Sequence, residues 1–156
     1  MTDLEAYLQR IHFSGEPRPD LETLTAIHRQ HLLTIPYENI DVQLQVPVDL
    51  DIERIFTKLV VNQRGGWCYE MNGLLGWALQ EIGFDVRRVN GGVARSLRGD
   101  DALGNHLVLL VSLDQPYIAD VGFGDGVLDP IPLVQGPVLQ RGFKFELEHL
   151  PDGLTG

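Results

Sequence analysis

The spacing of apolar residues along this chain changes at Gly83. Before Gly83, apolar side chains recur every three or four residues, which predicts helices; after it they tend to alternate with polar ones, which predicts strands. A chain of 156 residues can bury enough surface for one core or two small cooperating cores. We therefore expect an α+β protein, with a helical domain at residues 1–83 and an antiparallel β domain at residues 84–150.

Three helices are predicted ahead of the last one in the helical half. The first spans residues 3–12, and Asp20 can cap a second that ends near Pro36. Asp49 or Asp51 can cap the third. Each helix carries one apolar stripe that would face a common core.

Two histidines, His28 and His31, lie three residues apart on the second predicted helix. This spacing could in principle hold a metal ion. No cysteine or paired carboxylate joins them at ligand spacing, so we predict surface or half-buried histidines and no metal site.

The last helix of this half begins at the only cysteine of the chain, Cys68, and ends at Gly83. Its apolar residues are Met71, Leu74, Leu75, Ala78, Leu79 and Ile82. In the first turn of a helix, free backbone N–H groups and the helix dipole favour a thiolate, which makes the sulfur nucleophilic. Gly65 and Gly66 would let a substrate carbonyl approach the sulfur closely. The alternative is that Cys68 is a small buried apolar residue.

Four strands are predicted after Gly83, at residues 84–94, 106–113, 117–121 and 140–150. In the last of them, Phe143, Phe145 and Leu147 alternate with charged residues, which is typical of a strand with one buried face. Residues 151–156 are predicted to be a frayed tail.

The charge of the chain excludes some partners. Twelve basic residues against twenty-two acidic ones leave a net charge of −10, so nucleic acids and anionic membranes are poor partners.

A single cysteine cannot form an internal disulfide, the N-terminus does not resemble a signal peptide, and no apolar run approaches about 18 residues. We expect a cytoplasmic protein.

A nucleophilic thiolate needs a base, and the base needs an orienting group. His106 and Asp120 lie on adjacent predicted strands and can fill these roles. A tight turn at residues 114–116 would leave them four positions apart, roughly 13 Å. A wider turn over residues 111–115 would place them opposite each other, and we predict this register. Each residue alone could instead be structural, His106 as a cap or core residue and Asp120 in a turn.

Four segments resemble motifs of the arylamine N-acetyltransferase family. Residues 64–72 read RGGWCYEMN and resemble its RGGxCxE(L/M)N signature, and residues 36–41 read PYENID where the family has PFENLD. Residues 105–109 (NHLVL) and 120–124 (DVGFG) fall where the family has its catalytic histidine and its DxGFG segment. The motifs occur in the family's order from one end of the chain to the other.

This resemblance implies a papain-like catalytic core in which Cys68, His106 and Asp120 form a Cys-His-Asp triad. It also implies that Glu38 and Arg64 form a structural ion pair beside the site.

The resemblance further implies that Tyr37 and Phe123 are aromatic walls of the acceptor pocket. The family's fold is a helical bundle, then an antiparallel β-barrel, then an α/β lid domain that helps to bind coenzyme A. The lid would begin about where this chain stops, so we expect it to be absent. The apolar side of residues 141–149 would then be uncovered, which favours self-association.

The implied reaction is transfer of an acetyl group from acetyl-CoA to an arylamine, arylhydrazine or N-hydroxyarylamine, as in xenobiotic metabolism. It would run in two ping-pong steps through an acetyl-cysteine and would need no metal. Two alternatives follow from the missing lid. Water could reach the intermediate and make the protein a thioester or arylester hydrolase, or the chain could be an inert fragment.

Overall fold

The computed structural model describes residues 1–149, so the frayed tail predicted at residues 151–156 lies outside the described residues. The first half contains α1 (Leu4–Arg10), α2 (Leu21–Thr34), α3 (Ile40–Gln43), α4 (Ile52–Phe56) continued by a π-helical turn (Thr57–Val61), and α5 (Cys68–Ile82). The second contains β1 (Asp85–Gly91), α6 (Arg95–Arg98) with a 3-10 turn (Gly99–Ala102), β2 (His106–Ser112), β3 (Pro116–Ala119), β4 (Ile131–Pro132), β5 (Gly136–Gln140) and β6 (Phe143–Leu147). None of the helices in this described part is long and apolar enough to span a membrane.

Side-chain caps set where the helices begin. Asp20 accepts a hydrogen bond from the backbone N–H of Thr23 at the start of α2, as predicted. Of the two candidates for the third helix, Asp51 is the cap, and it accepts from the backbone N–H of Arg54. Gly83 ends α5 in the left-handed conformation, with φ 105°, which glycine adopts without steric cost.

Helix α5 lies at the centre of the molecule and packs against α1, α2 and α4 on one side and against β1 and β2 on the other. Its Leu75 and Leu79 belong to the same buried apolar cluster as Leu109 and Val111 of β2. Helices and sheet therefore share one core, which holds α5 against the ends of the strands. The division of the chain into two domains at Gly83 stays a prediction.

The sheet is antiparallel, with the order β1-β2-β3-β4, and β5 and β6 form a separate hairpin. The expected α+β class is confirmed, but the expected barrel does not form within residues 1–149. Their four-stranded sheet stays open between β1 and the two-residue β4, because β5 and β6 pair with each other instead of extending it.

The strand predicted at residues 140–150 is wrong in its bounds. Arg141 and Gly142 both have positive φ, 48° and 88°, which is the geometry of a tight hairpin turn, so Gln140 ends β5 and the next strand begins at Phe143. The predicted burial of one face holds only in part. Phe145 and Leu147 are half-buried, whereas Phe143 is 71% exposed. Self-association through this strand stays a prediction.

The wide turn predicted between the strands of His106 and Asp120 is also wrong. Leu109 pairs with Ala119, and residues 113–115 connect the strands, so the position opposite Asp120 is Val108. The observed register lies midway between the two that the sequence suggested. His106 is therefore two positions away, a diagonal neighbour on the same face, which a carboxylate side chain can reach.

Candidate active site

Cys68 is the first residue of α5 and is buried. The chain just before it is held by residues 36–38: Pro36 accepts from the backbone N–H of Gly66 at 3.2 Å, and Glu38 donates to the carbonyl of Gly66 at 2.9 Å. A Cβ at Gly65 would lie 2.1 Å from the carbonyl oxygen of Pro36. Gly65 is thus needed for packing against this neighbouring segment, and not only for access to the sulfur as the sequence suggested.

His106 begins β2 and is buried beside Cys68. Its Nε2 lies 2.7 Å from Oδ2 of Asp120, which leaves Nδ1 for the side chain of Cys68. Burial disfavours the imidazolium, but hydrogen bonds and charge from Asp120 and Cys68 outweigh burial and raise the pKa of His106 to about 9. The raised pKa favours the protonated imidazole at neutral pH, with the carboxylate of Asp120 as its hydrogen-bond partner.

The carboxylate of Asp120 is bound on both oxygens. Oδ1 accepts from Nδ2 of Asn72 at 2.8 Å and from the backbone N–H of Gly122 at 2.9 Å, while Oδ2 faces His106. Burial by itself would raise the pKa of Asp120, but the hydrogen bonds from His106 and Asn72 outweigh burial and lower it. Asp120 is therefore an oriented anion.

Asn72 is a site residue to which the sequence analysis gave no role. It lies one turn after Cys68 on α5 and is fully buried. Its amide donates to the carbonyl of Leu107 at 2.6 Å and to Asp120, and it accepts from the backbone N–H of Val121 at 2.9 Å. Asn72 thus ties the cysteine helix to the ends of both neighbouring strands. A polar amide within the apolar face of α5 was the signal that could have revealed it.

Aromatic rings surround the three residues. The ring of Phe123 packs edge-on against His106, with centroids 5.7 Å apart, and is 45% exposed. Burial and the charge of Cys68 raise the pKa of Tyr37, which is also 45% exposed. Phe123 therefore lies against His106, and Tyr37 lies beside the segment before Cys68, where it bridges to Gly66. That they are walls of an acceptor pocket stays a prediction. Tyr69, which the sequence did not single out, packs beside Trp67 and donates to the carbonyl of Gly104.

The predicted pair of Glu38 and Arg64 is present at 2.8 Å, but it is part of a larger ion cluster. Asp41 also accepts from Arg64 at 2.8 Å. Lys58 lies at the centre, with Nζ 2.9 Å from Asp41 and 2.7 Å from Glu70. Glu70 in turn accepts from the backbone N–H of Trp67, the residue just before α5, at 3.2 Å. The cluster therefore supports the start of the cysteine helix.

The two histidines of α2 are fully buried, so their predicted exposure is wrong. His31 shares a hydrogen bond of 2.9 Å between Nδ1 and the hydroxyl of Tyr7, and both ring nitrogens of His28 have protein partners. Residues 1–149 contain no group of three His, Cys, Asp or Glu residues placed to hold a metal ion.

The close packing of Gly122 on α5 gives a first prediction. A Cβ at Gly122 would lie 2.7 Å from Cα of Cys68 and 2.8 Å from Nδ2 of Asn72. Neither atom can move without shifting the helix or the amide, so we expect Gly122→Ala to lower the free energy of unfolding by about 1–3 kcal/mol. Urea unfolding measures the change.

Gly73→Ala, on the same helix, is the matched control. Its added Cβ would lie 3.5 Å from Cδ1 of Ile55, an ordinary contact, and alanine favours the helical conformation. The stability of this variant should stay the same or rise. Equal stability of the two variants would contradict the close contact between Gly122 and α5.

Known proteins match most of this chain in sequence. A family model described as N-acetyltransferase matches residues 20–149. The arylamine N-acetyltransferase of Mycolicibacterium smegmatis is 51% identical over 146 residues, which are 88% of this chain and 53% of that relative. The chain spans about half the length of the curated relatives it matches.

Solved structures agree with the sequence matches. The M. smegmatis arylamine N-acetyl transferase has a TM-score of 0.86 and 48% identity, over 97% of this chain and 58% of that chain. The Mycobacterium marinum arylamine N-acetyltransferase in complex with CoA has a TM-score of 0.86 and 39% identity, with the same coverage. Because the match in sequence and fold spans residues on both sides of the Cys68 site, this chain belongs to the arylamine N-acetyltransferase family.

Proposed function

We propose that this chain carries the acyl-transfer centre of an arylamine N-acetyltransferase, with Cys68 as nucleophile, His106 as acid and base, and Asp120 as the orienting carboxylate. The observation that carries the proposal is the 2.7 Å contact between Nε2 of His106 and Oδ2 of Asp120, made by an imidazole whose pKa is also raised by the neighbouring side chain of Cys68. The three side chains provide a nucleophile, a base for it and a group that orients the base, which is the set that covalent catalysis requires.

In the first proposed step, the Cys68 thiolate attacks the thioester carbon of acetyl-CoA. The new S–C bond forms as the bond to the CoA sulfur breaks, and the imidazolium of His106 gives its proton to the departing thiolate. The raised pKa of His106 supports this step, because the ring then carries a proton at neutral pH. Backbone N–H groups in the first turn of α5 have no carbonyl partner within the helix and would stabilise the oxyanion.

In the second step, the nitrogen of an arylamine, arylhydrazine or N-hydroxyarylamine attacks the acetyl carbon on Cys68. Neutral His106 accepts the proton of the amine, and the leaving sulfur restores the thiolate–imidazolium pair. Tyr37 and Phe123 would line the acceptor's aromatic ring, since both rings adjoin the site and keep a substantial exposed area. The free thiol suits a reducing compartment, and we place the reaction in the cytoplasm.

A second candidate function is hydrolysis of thioesters or arylesters. Phe123 and Tyr37 are each 45% exposed, so water can approach the acetyl group on Cys68 from the same side as an amine. The two functions share the first step and differ only in the second nucleophile.

Mass spectrometry of the intact protein after brief exposure to acetyl-CoA or p-nitrophenyl acetate tests the proposal. We expect one acetyl group per chain, and none in the Cys68→Ala control. Rapid loss of this adduct on adding an arylamine supports the transferase, whereas equally rapid loss without amine supports the hydrolase. Absence of an adduct with both donors would contradict the proposed chemistry for this chain.

A further inference from the structure

His28 bridges the two ends of the loop that follows β3. The imidazole is fully buried on α2, and its Nδ1 lies 2.9 Å from the carbonyl oxygen of Leu128. Its Nε2 lies 3.1 Å from the backbone nitrogen of Asp120. A carbonyl can only accept and a backbone N–H can only donate, so the ring must be neutral, with its proton on Nδ1.

The backbone N–H of Asp120 donates to His28 just beyond the end of the sheet. The pairing of β2 with β3 stops at Ala119, and Asp120 is the next residue. Without an acceptor at this place, a buried N–H would be left unsatisfied, a cost in free energy that moving the backbone relieves. The position of the main chain at Asp120 therefore depends on a residue of α2.

We propose that His28 is a positioning residue for the reaction: by accepting from the backbone of Asp120, it keeps that carboxylate in hydrogen-bonding distance of His106. This inference rests on the proposed function, since it concerns the orienting group of the same site. Asn72 holds the carboxylate end of Asp120, and His28 holds the backbone end.

The surroundings of His28 keep its acceptor available. Burial lowers the pKa of His28, against the opposing effects of the Leu128 carbonyl and of the carboxylates of Asp120 and Asp129. His31, on the next turn of α2, is also buried, and Arg29 on the same helix pairs with Asp129 at 2.7 Å. A neutral ring is the form that can accept at Nε2.

Two substitutions separate the hydrogen bonds of His28. In His28→Asn, the amide nitrogen stands near the place of Nδ1 and can still donate to Leu128, but nothing accepts from Asp120. In His28→Gln, the amide oxygen stands near the place of Nε2 and can accept from Asp120. We expect His28→Asn to slow formation of the acetyl adduct by about 10²-fold, the cost of a misplacement of about 1 Å, and His28→Gln to slow it much less.

An NMR titration of the His106 imidazole provides a readout that does not need turnover. If Asp120 moves away in His28→Asn, the titration midpoint of His106 should fall from about 9 toward its ordinary value of 6.5. It should stay near 9 in His28→Gln. Arg29→Gln is the control, because Arg29 joins α2 to Asp129, 2.7 Å away, without touching Asp120. Its His106 midpoint should not change.

The outcomes separate this inference from the proposed function. An unchanged His106 midpoint in His28→Asn, or equal slowing by both substitutions, would overturn the positioning role even if the protein transfers acetyl. Failure of the unmodified protein to form an adduct would overturn the proposed function, while the titration would still test the position of Asp120. If the variants do not fold, nitrogen chemical shifts of His28 in the unmodified protein decide: a proton on Nδ1 supports the inference, and a proton on Nε2 overturns it.

Discussion

Replacing Asp120 by asparagine is expected to slow acetylation of Cys68 by about 10⁴-fold, the scale seen when the orienting carboxylate of a comparable triad becomes an amide. The amide oxygen can still accept from Asn72 and from the backbone N–H of Gly122, so the local fold should survive. The amide nitrogen would then face Nε2 of His106, which must become an acceptor. This arrangement disfavours the imidazolium and places the proton on the nitrogen that faces Cys68.

The adduct rate with p-nitrophenyl acetate measures this loss, and urea unfolding at neutral pH checks the fold.

The stability of the unmodified protein should also depend on pH through His106. Folding raises the pKa of His106 from 6.5 to about 9, so its stabilising contribution is complete below pH 6.5 and is lost as the pH rises through about 9. Asp120→Asn should weaken this fall in stability. A variant that kept more than a tenth of the original adduct rate would contradict the orienting role of Asp120.

Replacing Lys58 by methionine is expected to cost about 3–5 kcal/mol of stability, the range for breaking a buried ion pair from one side. The side chain of Lys58 is 13% exposed and that of Glu70 only 8%, so neither charge is well solvated. Burial opposes the charge of Lys58, but the hydrogen bonds that it donates to Glu70 and Asp41 outweigh burial and raise its pKa. Without Lys58, the buried carboxylate of Glu70 loses its cation just where it accepts from the backbone N–H of Trp67, the residue that caps α5.

Arg64→Met is the matched comparison, because Arg64 contacts the same cluster from a side chain that is 43% exposed. Solvent already screens this charge, and we expect a smaller loss, about 1 kcal/mol or less. Urea unfolding of Lys58→Met and Arg64→Met compares the two cations, and unfolding of Glu70→Gln and of Lys58→Met combined with Glu70→Gln completes a cycle that gives the coupling between Lys58 and Glu70. The double variant should recover part of the loss. If Lys58→Met cost no more than Arg64→Met, the cluster would not act as a buried ion network.

Much of the fold could be predicted because its signals are local. The caps at Asp20 and Gly83, and the apolar spacing along α5, act within a few residues and do not depend on the rest of the molecule. Cys68 could be singled out as the candidate nucleophile for the same reason, since a lone cysteine at a helix start is a local feature. The sequence could place His106 and Asp120 on the same face of the sheet, because side chains along a strand alternate with a period of two.

Long-range partners could not be predicted in this way. The length of the turn at residues 113–115 set the register of β2 and β3, and a change of one residue in such a turn shifts every pair. The hairpin turn at Arg141 was also not predicted, because a residue other than glycine rarely adopts the positive φ that Arg141 has there.

The amino-acid sequence by itself determined helices α1, α2, α4 and α5 and strands β1, β2 and β3, because apolar spacing and caps are properties of neighbouring residues. Its motifs also proposed Cys68 as the nucleophile, with His106 and Asp120 as its two partners. Only the tertiary structure decided what holds those partners in place. Lys58 meets Glu70, Asn72 meets Asp120, and His28 reaches the backbone of Asp120 across 92 residues. These contacts arise because the shared core packs α2 and α5 against the ends of β2 and β3, and buried polar groups must then find their hydrogen-bond partners there.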